Sequence, residues 1–238
     1  KEMTVSKKRV VITGYGAVTP IGNTAEDFWS GLMAGESGVE PITNFDVSEF
    51  STKIAAQVKD LDLSGSFDKK EIRRYSKFVM YAVVAAKEAL ALSGLDIAKN
   101  PESIGVEIGS GIGGLEVLEE TVRTLVNSGP ARVSPFTVPM MIADMATGLV
   151  AIKTGAKGPN SASVTACASG SHSIGNAFKL IQRGDADAMI SGGSEACVIP
   201  SGLASFCAAR SLSSNNENPK TASRPFEKDR DGFVMGEG

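Results

Sequence analysis

Short apolar runs alternate along this chain with stretches in which apolar residues recur every three or four positions. The first run, Arg9-Val-Val-Ile-Thr13, reads as a buried strand and leads into Gly14-Tyr-Gly16. Thr24 or Asn23 is placed to cap a short helix carrying Phe28, Trp29, Leu32 and Met33, which stops at Gly35. Residues 36–68 hold turn signals at Gly38, Pro41 and Gly65 and read as loops and short strands. From Glu71 to Ser93, Phe78, Ala82, Ala85, Ala86 and Ala89 recur at helical spacing, and Gly94 follows. Ile104 to Ile108 predicts a strand. It feeds Gly109-Ser-Gly-Ile-Gly-Gly114 and then a helix with Leu115, Leu118, Val122 and Leu125 on one face. Pro130, Pro135 and Pro139 mark 128–139 as a loop, and a helix is predicted over 140–153.

The next stretch is the most informative. A β-like run, Ser161 to Thr165, meets Cys167, and a helical pattern follows at once. Ile174, Ala177, Phe178 and Ile181 share its face, and Gly184 stops it. Ala186 to Ser191 predicts a further strand entering Gly192-Gly193. The tail from Ser211 to Arg230 is polar and turn-rich. Strands alternating with helices predict an α/β fold with a largely parallel sheet.

Cys167 thus falls between a strand and the first turn of a helix, where free N–H groups and the helix dipole favour negative charge on a nucleophilic sulfur. Its neighbours Ala166, Ala168, Ser169, Gly170 and Ser171 are small and leave room for a bulky substrate. The same residue also fits a structural cysteine packed as a small hydrophobe. Position alone leaves both readings open. His172 is the only histidine. Five residues along a helix is about 140° around its axis, so a Cys167–His172 catalytic pair is not expected, and a surface or packing role fits His172 better.

Composition narrows the classes. The chain has 238 residues, enough for one large domain or two small ones, and 42% hydrophobic with 21% charged residues is the balance of a soluble globular protein. A formal net charge of −3 gives no reason to expect nucleic-acid binding. Cys167, Cys197 and Cys207 form neither a disulfide framework nor a zinc pattern, so no metal site is expected and a reducing cytoplasm is the simpler setting. No signal-peptide pattern opens the chain, and its longest apolar run, Phe78 to Leu92, is broken by Lys87 and Glu88, so no membrane insertion is expected. Gly109-x-Gly111-x-x-Gly114 fits a dinucleotide fingerprint, but no acidic residue ends a second strand about twenty residues on. The alternative is that these glycines supply tight turns and close backbone approach. Lys69, Lys70, Arg73 and Arg74, with Arg132 and Arg210 elsewhere, read either as solvated surface or as a docking patch for an acidic partner.

Thr165-Ala-Cys-Ala-Ser-Gly170 resembles the active-site segment of the β-ketoacyl-acyl-carrier-protein synthases, closest to the synthase II type of bacterial fatty-acid synthesis. Val10-Val-Ile-Thr-Gly-Tyr-Gly-Ala-Val-Thr-Pro-Ile-Gly22, Gly109 to Gly114, Ser134-Pro-Phe136, Gly192-Gly-Ser-Glu195 and Ser223 to Gly238 resemble the same family, in its order. The resemblance implies a thiolase-like α-β-α-β-α fold of which this chain is the N-terminal βαβαβ half. It implies a β-ketoacyl synthase N-terminal domain over 9–238. Residues 1–8 read as an N-terminal extension, in which the internal Met3 is a candidate natural start. The C-terminal half, with the family's two catalytic histidines, a lysine and the second oxyanion donor, is not in this chain. The implied chemistry is an acyltransferase reaction. An acyl chain passes from acyl carrier protein to Cys167, and decarboxylative condensation with malonyl carrier protein gives 3-oxoacyl carrier protein and CO2. No cofactor is implied. Carried over by motif, Cys167 is the nucleophile and its backbone N–H an oxyanion donor. Ile112 and Phe206 line the acyl pocket, and Phe136 and Thr137 lie near the interface of a homodimer. Lys70, Arg73, Arg74, Arg132 and Arg210 face the carrier. A non-catalytic dimerisation or carrier-binding half-domain is the alternative, and a dinucleotide-dependent oxidoreductase a further one.

Overall fold

The computed structural model describes residues 8–238, so the extension expected over 1–8 lies outside them except for Lys8. In chain order the elements are α1 (Ala25–Ala34), β1 (Val39–Pro41), β2 (Ile54–Ala56), α2 (Lys69–Ile72), α3 (Lys77–Ser93), β3 (Ile104–Gly109), α4 (Leu115–Ser128), α5 (Thr137–Met141), α6 (Met145–Thr154), β4 (Asn160–Ser161), α7 (Ser169–Arg183), β5 (Ala188–Gly193) and α8 (Pro200–Ala208). β4, β3 and β5 form a parallel sheet in that order, with Val106 opposite Asn160 and Ile104 to Gly109 opposite Ala188 to Gly193. β1 and β2 pair antiparallel as a separate sheet.

Strand alternation decides the layers. Ile104, Val106 and Ile108 of β3 point to one face, where they join Phe78, Val79, Val83 and Ala86 of α3 and Ala146, Leu149 and Val150 of α6 in the main core. Glu107 and Gly109 point to the other face, toward α7. Both sides of β3 are therefore covered, and all six of its residues are buried. A second core joins Ile42, Ala55, Cys197, Val198, Leu203, Leu212 and Met235. The last residues of the chain return to this region through bridges Ala56–Gly236 and Ala196–Glu237. The buried Glu237 carboxylate accepts from the Val58 N–H at 3.2 Å and from the Tyr81 hydroxyl at 3.3 Å.

Most of the predicted elements are present, and their deviations have physical causes. Thr24 caps α1 by accepting from the Asp27 N–H, and Gly35 ends it at φ 69°. Arg9 to Thr13 is not a strand. It makes no ladder, and Val11 and Ile12 are 61% and 86% exposed. Apolarity predicted the run, but a strand needs a hydrogen-bonded neighbour, and a groove of about 680 Å³ lined by α3 and α7 separates this segment from the free edge of β5. Gly14 and Gly16 press instead on the backbone of α3, where a Cβ would meet the Ala89 and Ala85 carbonyls at 2.1 Å. The helix expected from Glu71 to Ser93 is two helices. An Asp68–Glu71 capping box starts α2, and at Ser76 the side chain donates to Glu116 while α3 begins anew. The helix expected over 140–153 likewise divides at Ile142 into α5 and α6. β4 is only two residues long, and β5 begins two residues later than expected. α8 has no counterpart among the predicted elements, although Pro200 at its first turn is a helix-start signal. None of the described helices is long and apolar enough to cross a membrane.

Candidate active site

Parallel strands deliver their C-terminal ends to one side of the sheet, which is where open α/β sheets place their ligands. Here three chain segments leave that edge together: the 109–114 loop after β3, residues 162–168 after β4, and residues 193–195 after β5. Their closeness depends on glycine. A Cβ on Gly109 would lie 2.5 Å from the Ser169 carbonyl oxygen, and one on Gly193 would lie 2.8 Å from the Gly170 Cα. Because β4 is short, Thr147 of α6 bridges the gap beside it. Its Oγ1 accepts from the Ile108 N–H at 2.9 Å and lies 3.1 Å from the Ser161 carbonyl oxygen.

Cys167 sits on a tight turn between β4 and α7. Ala166 just before it has φ 52°, a left-handed conformation unusual without glycine. Ser169 binds the turn from within. Its Oγ accepts the Thr165 N–H at 2.9 Å and donates to the Ala166 carbonyl at 2.6 Å, and its own N–H reaches that carbonyl at 3.1 Å. Glu107, buried in β3, holds the flank by accepting from Ser163 Oγ at 3.0 Å and Asn176 Nδ2 at 2.7 Å. The result is an exposed thiol on a constrained turn, one residue before the Ala168 cap of a 15-residue helix. Backbone strain of this kind costs of order 1–3 kcal/mol and persists where the surroundings over-determine it.

His172 does not pair with Cys167. Its Nδ1 lies 2.8 Å from Thr165 Oγ1 on the exposed side of α7. The other two cysteines have different surroundings. Cys197 is buried, and burial together with the nearby Glu195 carboxylate pushes its thiol up. Cys207 is half-buried in α8. Thiol-directed reagents should therefore label Cys167 first, Cys207 slowly and Cys197 last. Peptide mapping of a timed alkylation checks this order, and faster labelling of Cys197 would contradict it.

The remaining expected residues fall into separate groups. Ile112 lies in the 109–114 loop, half-exposed, and its neighbour Gly111 packs against Ala166, where a Cβ would stand 3.3 Å from the carbonyl oxygen. Phe206 is in α8, packs against the second core and meets the Phe233 ring edge-on at 5.3 Å. Phe136 and Thr137 open α5. The Arg74 guanidinium stands 5.0 Å from the centre of the Phe136 ring, and Thr137 Oγ1 lies 3.1 Å from Thr121 Oγ1 of α4. Lys70, Arg73 and Arg74 lie on and just after α2, Arg132 in the 3-10 turn Pro130–Arg132, and Arg210 after α8 at φ 51°. All five are exposed, and among the described residues none forms an ion pair. Among the described residues no group of His, Cys, Asp or Glu is arranged to hold a metal.

The glycine-rich loop already has an occupant. Glu195 accepts the N–H groups of Gly111 at 2.6 Å and Ile112 at 3.2 Å on one carboxylate oxygen, and the Ser110 hydroxyl at 3.1 Å on the other. These amides are the donors a pyrophosphate would need. The dinucleotide reading fails on that geometry. Glu195 is also the site residue that motif and spacing missed as a participant. A carboxylate two residues past a strand carries no local sign that it reaches across to a loop more than eighty residues away.

Residues 7–238 match the family described as beta-ketoacyl synthase, N-terminal domain. Over 235 residues the chain is 54% identical to the 3-oxoacyl-[acyl-carrier-protein] synthase 2 of Synechocystis sp., an alignment covering 98% of this chain and 56% of that protein. The fold is similar to a solved β-ketoacyl synthase of Burkholderia phymatum, with TM-score 0.87 and 32% identity over 97% of this chain and 57% of that one. It is also similar to a ketosynthase solved in complex with its type II polyketide acyl-carrier protein, with TM-score 0.84 and 30% identity over 98% of this chain and 56% of that one. The chain spans about half the length of the curated relatives it matches.

Proposed function

We propose, from the premise that this chain belongs to the beta-ketoacyl synthase family as its N-terminal domain, that it supplies the nucleophilic half of a condensing enzyme of type II fatty-acid synthesis. The observation that carries the proposal is the exposed Cys167 on its left-handed turn, at the C-terminal ends of three parallel strands and the N-terminus of α7. The Cys167 sulfur attacks the thioester carbonyl of an acyl chain on acyl carrier protein, and the carrier's thiol leaves. The chain now rests on Cys167 as a thioester. Malonyl carrier protein then loses CO2, and the electron pair of the broken C–C bond remains on the α-carbon. That carbon attacks the Cys167 thioester, the C–S bond breaks, and the thiolate is regenerated as 3-oxoacyl carrier protein forms. The Cys167 N–H is one donor to the oxyanion of each tetrahedral intermediate. Ile112 and Phe206 border the acyl chain, and Phe136 and Thr137 lie near a homodimer interface.

Decarboxylation needs proton and oxyanion partners that His172, engaged with Thr165, does not supply. The family's two catalytic histidines would come from a C-terminal half, so the activity belongs to a longer protein of which 9–238 is one domain. A cytoplasmic setting fits its thiol chemistry. The test is to mix that complete protein with acyl- and malonyl-loaded carrier and measure CO2 and 3-oxoacyl carrier protein. Both should appear in equal amounts, and neither should appear with this span alone. Condensation by residues 1–238 alone, or none by the complete protein, would refute the reading.

Lys70, Arg73 and Arg74 would dock the carrier, a role supported by their exposure and lack of ion pairs, and by a structural relative described in complex with an acyl-carrier protein. Reversing these charges should raise KM for carrier-bound substrate about tenfold or more at low salt, and flatten its salt dependence, since long-range attraction is screened within roughly 10 Å at 0.1 M. Small acyl thioesters should react as before. Equal losses with both substrate types would rule the docking role out.

A further inference from the structure

We infer that Glu195 is a positioning residue, whose carboxylate holds the loop carrying Ile112 against the turn carrying Cys167. The inference rests on the reading of Cys167 as acyl acceptor, and it adds a residue that the reading does not contain.

Glu195 follows β5 by two residues and reaches over the end of the neighbouring strand β3. One carboxylate oxygen takes the N–H groups of Gly111 and Ile112, at 2.6 and 3.2 Å. The other takes the Ser110 hydroxyl at 3.1 Å, and that hydroxyl oxygen accepts the Gly113 N–H at 3.0 Å. Four polar groups of one loop are thus satisfied directly or at one remove by a single side chain. Successive backbone N–H groups turned inward in this way form an anion-binding concavity, and here the anion-like group belongs to the protein itself.

The carboxylate is fixed at its base. The Glu195 N–H donates to the Gly238 carbonyl at 2.8 Å, and the Gly238 N–H returns to the Glu195 carbonyl at 3.0 Å. The loop is fixed on its far side as well. Gly111 lies between two neighbours, and a Cβ there would stand 2.9 Å from the Glu195 carboxylate and 3.3 Å from the Ala166 carbonyl. That carbonyl belongs to the left-handed residue before Cys167, and it also accepts from Ser169. Glu195, Gly111 and Ala166 therefore form a continuous stack that ends beside the thiol. Removing the carboxylate leaves two amides without acceptors and frees the loop to lift from Ala166, which moves Ile112 relative to Cys167. Glutamine keeps an oxygen for the two amides, and its NH2 can donate to Ser110 Oγ.

The experiment uses the complete protein as wild type, Glu195→Ala, Glu195→Gln and Cys167→Ala. Two amides of the loop lose their acceptor, so Glu195→Ala should slow acyl transfer onto Cys167 by roughly 10-fold or more, with KM for the carrier changed less than about 2-fold. Glu195→Gln should recover most of the rate. Hydrogen exchange at Gly111 and Ile112 should quicken by a similar factor in Glu195→Ala and little in Glu195→Gln, while the α3 amides keep their protection. A wild-type rate and wild-type exchange in Glu195→Ala would overturn the inference. So would equal damage in both variants, or loss of protection throughout the fold. If the wild type puts no acyl group on Cys167, the Cys167 reading fails, and the exchange comparison still decides whether Glu195 holds the loop.

Discussion

Replacing Cys167 by alanine in the complete protein should lower acyl transfer and condensation by several orders of magnitude, because groups that act as a covalent nucleophile carry much of the rate enhancement they join. Stability should hardly change. Cys167 is exposed and makes no core contact, and the turn that carries it is bound by Ser169, Thr165 and Ala166, which the substitution leaves alone. Thermal unfolding and a condensation assay on the same preparation separate the two effects. A variant that keeps substantial activity would show that the acyl chain rides elsewhere. One that unfolds early would return Cys167 to a packing role.

Gly109→Ala should damage both stability and chemistry. Gly109 ends β3 where α7 begins on the neighbouring segment, and the added methyl would stand 2.5 Å from the Ser169 carbonyl oxygen and 2.6 Å from its carbon. Backbone cannot swing away as a side chain can. Overpacking of this kind typically costs about 1–3 kcal/mol. The strain is relieved by pushing the first turn of α7 off the sheet, and Ser169 carries the Cys167 turn with it. Misplacing a reacting group by about 1 Å can cost on the order of 100-fold in rate. Gly148→Ala in α6 is the control. Nothing lies within 4 Å of the position its Cβ would occupy, and an alanine there should keep or raise stability by up to roughly 1 kcal/mol. Denaturant unfolding of the two variants beside the wild type checks the contrast. Equal stability for both would mean that the Gly109–Ser169 contact does not constrain the site.

The particular residues show what local pattern carries and what it does not. The Cys167 turn is legible because every ingredient is local: a short β-like run, small residues, a 3.6-residue apolar period and Gly184 as stop. The parallel sheet is legible from the alternation of β3, α4, α6, α7 and β5. The Arg9–Thr13 strand misleads for a clear reason. Its residues have strand composition, but a ladder needs the segment to lie against a neighbouring strand, and Gly14 and Gly16 seat it on α3, away from the free edge of β5. The break between α2 and α3 is equally hidden, since the Ser76 hydroxyl that marks it turns to Glu116, forty residues away. Glu195 lies beyond local reading altogether. Its partners are in a loop of glycines whose spacing points to a phosphate, and only the pairing of β3 with β5 reveals that a carboxylate already fills the place.

The measurement that bears most directly on the whole account is the mass of the peptide containing Cys167 after the complete protein meets acyl-loaded carrier protein without malonyl substrate. This peptide should gain the mass of one acyl group less a hydrogen, hydroxylamine should remove it, and peptides containing Cys197 and Cys207 should stay unmodified. An unmodified Cys167 peptide, or the acyl group on any other residue, would contradict the account.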